Sequence, residues 1–305
     1  MKRILFATLL VALLIPVLAI GQDIKVTQRL DRRLTDDTPL TNGKVGVWVY
    51  FTDKALSGSE FDADLRRVEQ DLPQRTLDRR AKMRQPGERL VDGKDLPLAE
   101  AYLEAVAATG AQARKQSRWI NAASFDVTPD QIDAISALPF VKKVDLVAQF
   151  FRPELPTSDS DRTLVDKSNA EAEAVASWNL NYGATLSTME QINVPQVHDQ
   201  GLTGDGVIVG MLDAGFRTVH PVFENLDIIA TWDFVNDDPI VDWEDGDGTY
   251  QARHGTQTLS TIAGFKDGEY VAPAFGVSVI LAMTEEVVDE LPIEEDNWVA
   301  GLEWA

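Results

Sequence analysis

Two periodicities alternate along residues 44–147. The segment KVGVWVYF at 44–51 sets apolar residues at every second position in a β-branched and aromatic background, the pattern of a strand with one buried face. Residues 95–109 instead carry Leu98, Tyr102, Leu103 and Val106 at helical spacing, and Gly110 follows where a helix would stop. Strands are expected near 111–119 and 122–127, then a helix over 130–137 with Thr128 as N-cap and Pro129 in its first turn, and a closing strand over 141–147. The order β-α-β-β-α-β is that of a ferredoxin-like split βαβ domain, assigned to residues 44–150. Between 64 and 89, eight arginines and lysines predict a helix and loop with a solvated face.

The pattern changes after residue 180. Residues 207–212 are a short apolar run bounded by glycine and aspartate, which predicts a strand buried on both faces of a parallel sheet. A second core strand is expected over 275–283, a helix over 253–264 ending at Gly264, and a last helix through Trp298, Val299, Leu302 and Trp304. Residues 1–21 combine Lys2 and Arg3, an apolar stretch and a small-x-small ending at Ala19 and Gly21, as a secretory signal peptide does. Pro16 and the shortness of the apolar stretch argue against a membrane span, and no other stretch is apolar enough, so no membrane partner is expected once the signal is removed. Residues 22–43 are polar and expected to be a flexible lead-in; residues 151–180, rich in Ser, Thr, Asp, Ala and Pro, are expected to be an exposed linker open to cleavage.

Charge sharpens this division. The formal net charge of -21 is carried almost wholly by residues 181–305, which hold 23 acidic and 3 basic residues; the other 26 acidic and 25 basic residues nearly cancel. Such a surface excludes a nucleic-acid partner, which needs a basic footprint, and suits solubility by self-repulsion. Residues 236–248 (NDDPIVDWEDGDG) gather six acids that calcium could use, although the spacing is not that of an EF-hand loop. With no cysteine in the chain, stability must come from the core, bound ions or a folding partner, not from disulfides.

The candidate chemistry lies in two short motifs. MLDAGF at 211–216 puts Asp213 at the carboxyl end of an expected parallel strand, where open α/β sheets form their functional crevice. RHGTQTLSTIAG at 253–264 puts His254 at the start of an expected helix. An aspartate that orients a histidine is the core of a charge-stabilised general base; His198 and His220 have no comparable partner and are taken as structural.

These two motifs, in the order Asp before His, resemble those of the subtilisin-like serine proteases, and NVPQVHDQGLTGDGVIVG at 193–210 is similar to the segment that leads into the family's aspartate. The resemblance implies that Asp213 orients the imidazole and His254 is the general base of a Ser-His-Asp triad acting on protein or peptide substrates. The motifs depart from the common pattern at Ala214, where Ser or Thr is usual, and at Gln257, Thr258, Leu259 and Ser260. The stretch VTPDQIDAISALPFVKKVD at 127–145 resembles the family's inhibitor-type propeptide, so the ferredoxin-like domain is expected to be an intramolecular inhibitor and chaperone. The implied fold is an α+β propeptide domain followed, over 181–305, by the N-terminal part of a three-layer α/β domain, a parallel sheet with helices on both faces. The family's oxyanion asparagine and its serine within Gly-Thr-Ser are not found in the 305 residues and are expected downstream, so this chain alone is expected to be inactive. The alternative is a secreted non-catalytic module that binds or inhibits a protease, its subtilisin-like half degenerate; a third option is a metal-binding surface protein using the acids of 236–248.

Overall fold

In the computed structural model, residues 25–36, 40, 42–148, 178–248, 250–287 and 294–305 are described. The expected signal peptide lies outside them, as do residues 151–177 of the expected linker.

The first half contains α1 (Gln28–Thr35), β1 (Val45–Phe51), α2 (Gly58–Asp71), α3 (Gln74–Ala81), α4 (Glu100–Ala107), β2 (Gln112–Ser117), β3 (Ala122–Val127), α5 (Pro129–Ser136) and β4 (Val141–Leu146). The strands form an antiparallel sheet in the order β2-β3-β1-β4, the ferredoxin-like arrangement. Strand β1 sorts its side chains by parity. Val45, Val47, Val49 and Phe51 enter a core with Phe125, Val127, Ile132, Ile135 and Val144 beneath the helices, whereas Trp48 joins Ala122 and Val147 on the opposite face. Helix α5 starts as its sequence predicts: Gln131 Oε1 accepts the Thr128 N–H at 2.9 Å, and Pro129 sits in the first turn.

The lead-in departs from expectation. Its described part is not a free polar segment: Val26 bridges Val144 in parallel, Val144 N–H donates to Lys25 O at 2.7 Å, and α1 buries Leu30 completely. Strand β4 is a sheet edge whose main-chain groups need partners, and any sequence can supply them through its own backbone. Polarity therefore masked one buried leucine and an edge pairing that depends on no side-chain pattern.

The second half contains α6 (Leu186–Gln191), α7 (Val194–His198), β5 (Ile208–Asp213), β6 (Asp227–Asp233), α8 (Arg253–Ala263), β7 (Phe265–Lys266), β8 (Tyr270–Val271), β9 (Ser278–Met283) and α9 (Glu294–Trp304). Strands β5, β9 and β6 form a parallel sheet in that order. Val279, Leu281 and Met283 face one side and pack with Leu259 and Ala263 of α8. On the other side Gly301 of α9 is pressed against Thr284, Leu212 and Ala282, too close for a Cβ without displacement. The sheet therefore has helices on both faces, as expected for an α/β layer fold. Strand β5 is less enclosed than its apolar run predicts. Among the described residues it pairs only with β9, and Val207 and Ile208 remain 49% and 37% exposed. Burial deepens toward Asp213, the end of the strand that the helices cover.

The two halves are packed together through the open face of the first sheet. Val299 of α9 rests on the Trp48 cluster, and around it Arg114 of β2 and Arg118, just past the strand, meet the acids of α9. Arg114 holds Asp296 through two bonds of 2.9 and 3.0 Å. Glu303 accepts Ser117 Oγ–H at 2.8 Å and the Arg118 N–H at 3.0 Å, and pairs with the Arg118 side chain at 3.1 Å. Lys115 reaches Asp237 at 2.6 Å, and Arg75 donates to Gly206 O at 2.9 Å.

Candidate active site

Asp213 ends β5 and His254 begins α8, and the fold brings them together. His254 Nδ1 lies 2.9 Å from Asp213 Oδ1 and 3.0 Å from Oδ2. A carboxylate only accepts, so Nδ1 carries the shared proton and a neutral imidazole presents Nε2 as an acceptor. The Asp213 side chain is 10% exposed and the imidazole 69%, so the acid is enclosed and the base faces solvent.

The carboxylate is held from more than one direction. Ala214 N–H donates to Oδ1 at 2.7 Å and Thr258 Oγ–H to Oδ2 at 3.1 Å. Thr258 is one of the departures from the common family pattern, and its hydroxyl lies between Oδ2, one of the two oxygens that the imidazole approaches, and Gly255 O at 3.0 Å; nothing in the linear spacing announces that contact. Thr284 N–H donates to Asp213 O at 3.0 Å and fixes the main chain beneath.

The glycines of both motifs answer to close approach. Gly215 has a φ of +105°, and a Cβ there would meet Val241 O at 2.8 Å and Met283 Sδ at 2.9 Å. A Cβ on Gly255 would run into Gly215 O and lie 3.0 Å from Asp213 Cβ, so the helix start can sit against the strand end only without one. Ala252, in the left-handed region at φ 62°, turns the chain into α8 and is held by its N–H on Ala214 O at 2.8 Å. Gln251, buried, binds Ala214 O at 2.8 Å and Glu285 O at 2.7 Å, tying the α8 entry to the β5 and β9 ends.

The other two histidines are structural. His198 is buried between Tyr182 Oη at 2.7 Å and Pro273 O at 3.0 Å, and His220 starts a short turn at 221–223. Of the acids in 236–248, Asp242 and Asp247 take main-chain N–H groups of their own loop. Asp238 takes the Ile240 N–H at 2.7 Å in the same way; it and Glu244 also approach Asp233, and each of the three offers an oxygen within 4.8 Å of the others, a set that could hold a cation.

Asp233, at the end of β6, was not singled out by any sequence motif. It is fully buried, and that burial pushes its carboxyl up to about 6, with Asp238 adding to the effect and N–H donors from Val235 and Asn236 opposing it. Its folded-state value lies above the ordinary 3.8, so the folded protein holds the proton more tightly than the unfolded chain. Stability is therefore unaffected below about pH 4, declines as pH rises toward 6, and stays reduced above it, by up to about 3 kcal/mol. Asp233→Asn is expected to remove that decline. The check is urea unfolding in chelator between pH 4 and 7; identical pH slopes for the two proteins would contradict it.

The structure thus sets an Asp–His pair at the carboxyl edge of a parallel sheet, in a unit packed on a ferredoxin-like domain. Comparison with known proteins makes this specific. Residues 46–162 match the Peptidase S8 propeptide domain of Bacteroidota. Subtilisin of Bacillus pumilus is 30% identical over 118 residues, covering 38% of this chain and 39% of that protein. Alkaline protease of Alkalihalobacillus alcalophilus is 24% identical over 242 residues, covering 73% and 59%. Furin-like protease 1 of Drosophila melanogaster is 35% identical over 107 residues, 33% of this chain and 9% of that protein. Among solved structures, fervidolysin of Fervidobacterium pennivorans aligns with a TM-score of 0.48 at 18% identity, over 87% of this chain and 35% of that one. Residues 46–162 thus resemble a Peptidase S8 propeptide domain, and the chain is similar to subtilisin-like proteases. It spans less than two thirds of the length of these curated relatives.

Proposed function

We propose that the whole protein is a secreted serine endopeptidase made as a zymogen, and that Asp213 and His254 are two members of its triad. The single observation that carries this reading is the 2.9 Å contact from His254 Nδ1 to an enclosed Asp213 carboxylate, with the far side of the ring open to solvent. In this mechanism Nε2 takes the proton of a serine hydroxyl as it attacks the peptide carbonyl, forming an acyl-enzyme, and returns it to the leaving amine. Asp213 stabilises the imidazolium formed in between and holds the ring in the productive tautomer. Thr258 and Ala214 keep the carboxylate from rotating away. The serine and the oxyanion asparagine are supplied by residues that follow Ala305 in the whole protein.

The ferredoxin-like domain acts here as intramolecular inhibitor and chaperone. Its support is the packing of Val299 of α9 on the Trp48 cluster together with the Arg114–Asp296 and Ser117–Glu303 contacts between β2 and α9. Export follows from the signal-like residues 1–21, and maturation from cleavage within 151–180. No helix among the described residues is long and apolar enough to cross a membrane.

The test is covalent labelling. The whole secreted protein is expected to hydrolyse casein and to react with a fluorophosphonate at one serine outside residues 1–305, whereas the 305-residue chain alone does neither. Labelling of a serine within those residues would sink the assignment.

A further inference from the structure

Residues 181–305 hold 23 acidic and three basic residues, so each cation there stands in a field of the opposite sign. Lys266 is paired with Glu269 at 2.8 Å. Arg217 and Arg253 form no ion pair among the described residues, although acids surround them. Both line one cavity of about 550 Å³, together with Trp243, Thr256 and Gln257.

Their placement is specific. Arg217 lies on the loop that leaves Asp213, and Arg253 immediately precedes His254. The Arg217 N–H donates to Thr256 Oγ at 2.8 Å, so the loop and the first turn of α8 are tied together at the cavity wall. The Arg253 guanidinium stands 5.5 Å from the Tyr250 ring centroid, within cation–π range. Two carboxylates share the wall, but each is used by its own loop: Asp242 accepts the Trp243 N–H and Asp247 the Glu244 N–H, both at 2.8 Å. The only unpaired basic side chains of the described acidic half therefore sit in the same cavity, whose wall includes residues that flank His254 in sequence.

We propose that Arg217 and Arg253 form a subsite for an acidic side chain of the peptide substrate, an aspartate or glutamate close to the bond cleaved beside His254. This rests on the protease reading above. Guanidinium groups present paired N–H donors that match a carboxylate. Acids beyond about 8 Å are screened at physiological salt; within the cavity Asp242 and Asp247 offset charge, but Arg217 and Arg253 present guanidinium N–H donors that no described carboxylate occupies. Trp243, 49% exposed, offers an apolar wall for the methylenes of such a side chain.

The experiment compares the whole protease with an R217Q/R253Q variant and an R217K/R253K variant. Peptides carry Glu, Gln or Lys at successive positions on either side of the scissile bond. The wild type is expected to prefer Glu over Lys by about tenfold in kcat/KM at one position, and added salt to shrink that ratio. The ratio should collapse toward one in the glutamine variant and persist in the lysine variant. Absence of any Glu-preferring position, or a preference that survives R217Q/R253Q, would overturn the subsite. Absence of turnover in the wild type, matching a His254→Ala control, would overturn the protease reading itself and the subsite with it.

Discussion

Replacing His254 by alanine in the whole protein is expected to lower kcat/KM toward a peptide substrate by about 10⁴- to 10⁶-fold. Among the described partners of the Asp213 carboxylate, only the imidazole can take a proton from a nucleophile: Thr258 and Ala214 are donors to it. Without it a serine hydroxyl must lose its proton to water, and the members of the triad, acting as a unit, fail together. Asp213→Asn is expected to lose about 10⁴-fold, because an amide can offer Nδ1 its own N–H and so favour the wrong tautomer. Because the imidazole is mostly exposed, His254→Ala should leave the unfolding transition nearly unchanged. A loss in rate below about tenfold, in a protein whose unfolding matches the wild type, would remove His254 from the mechanism.

The Asp–His pair was legible because each residue stands in a short motif whose glycines answer to a local requirement. Gly215 and Gly255 are where strand end and helix start approach too closely for a Cβ, and such positions leave their mark in the sequence itself. The first sheet was legible for a similar reason: period-two alternation in β1 and the Thr128–Pro129 start of α5 are local signals. What escaped was held by distant partners. Strand β6 begins and ends with aspartate, and its pairing with β9 is a contact between segments some fifty residues apart. Asp233 is one acid among many until the fold buries it. Helix α1 docks through Leu30 and a main-chain bridge, neither of which a polar segment advertises. In the sequence Thr258 is only a departure from the common pattern, yet its hydroxyl reaches the Asp213 carboxylate at 3.1 Å.

The joint between the two halves leads to the second large effect. Asp296 is fully buried, and its carboxylate is satisfied by Arg114 through two bonds and by Ser124 Oγ. Arg114, whose side chain is 12% exposed, also holds Asp126 at 2.8 Å, so one guanidinium joins two acids, one on each side of the joint. Desolvating three charged groups is costly, and the network as a whole need add little net stability. Removing one member is different, because it leaves a buried charge without its counter-ion. Arg114→Ala is therefore expected to destabilise the packing of the first sheet on α9 by about 3–5 kcal/mol. Arg114→Met paired with Asp296→Leu, which removes both charges and keeps the volume, should cost far less than the sum of the two single changes. Denaturant unfolding of the chain and its three variants closes the double-mutant cycle. A coupling energy near zero would show that the halves are held by the Trp48–Val299 contact and not by the arginine.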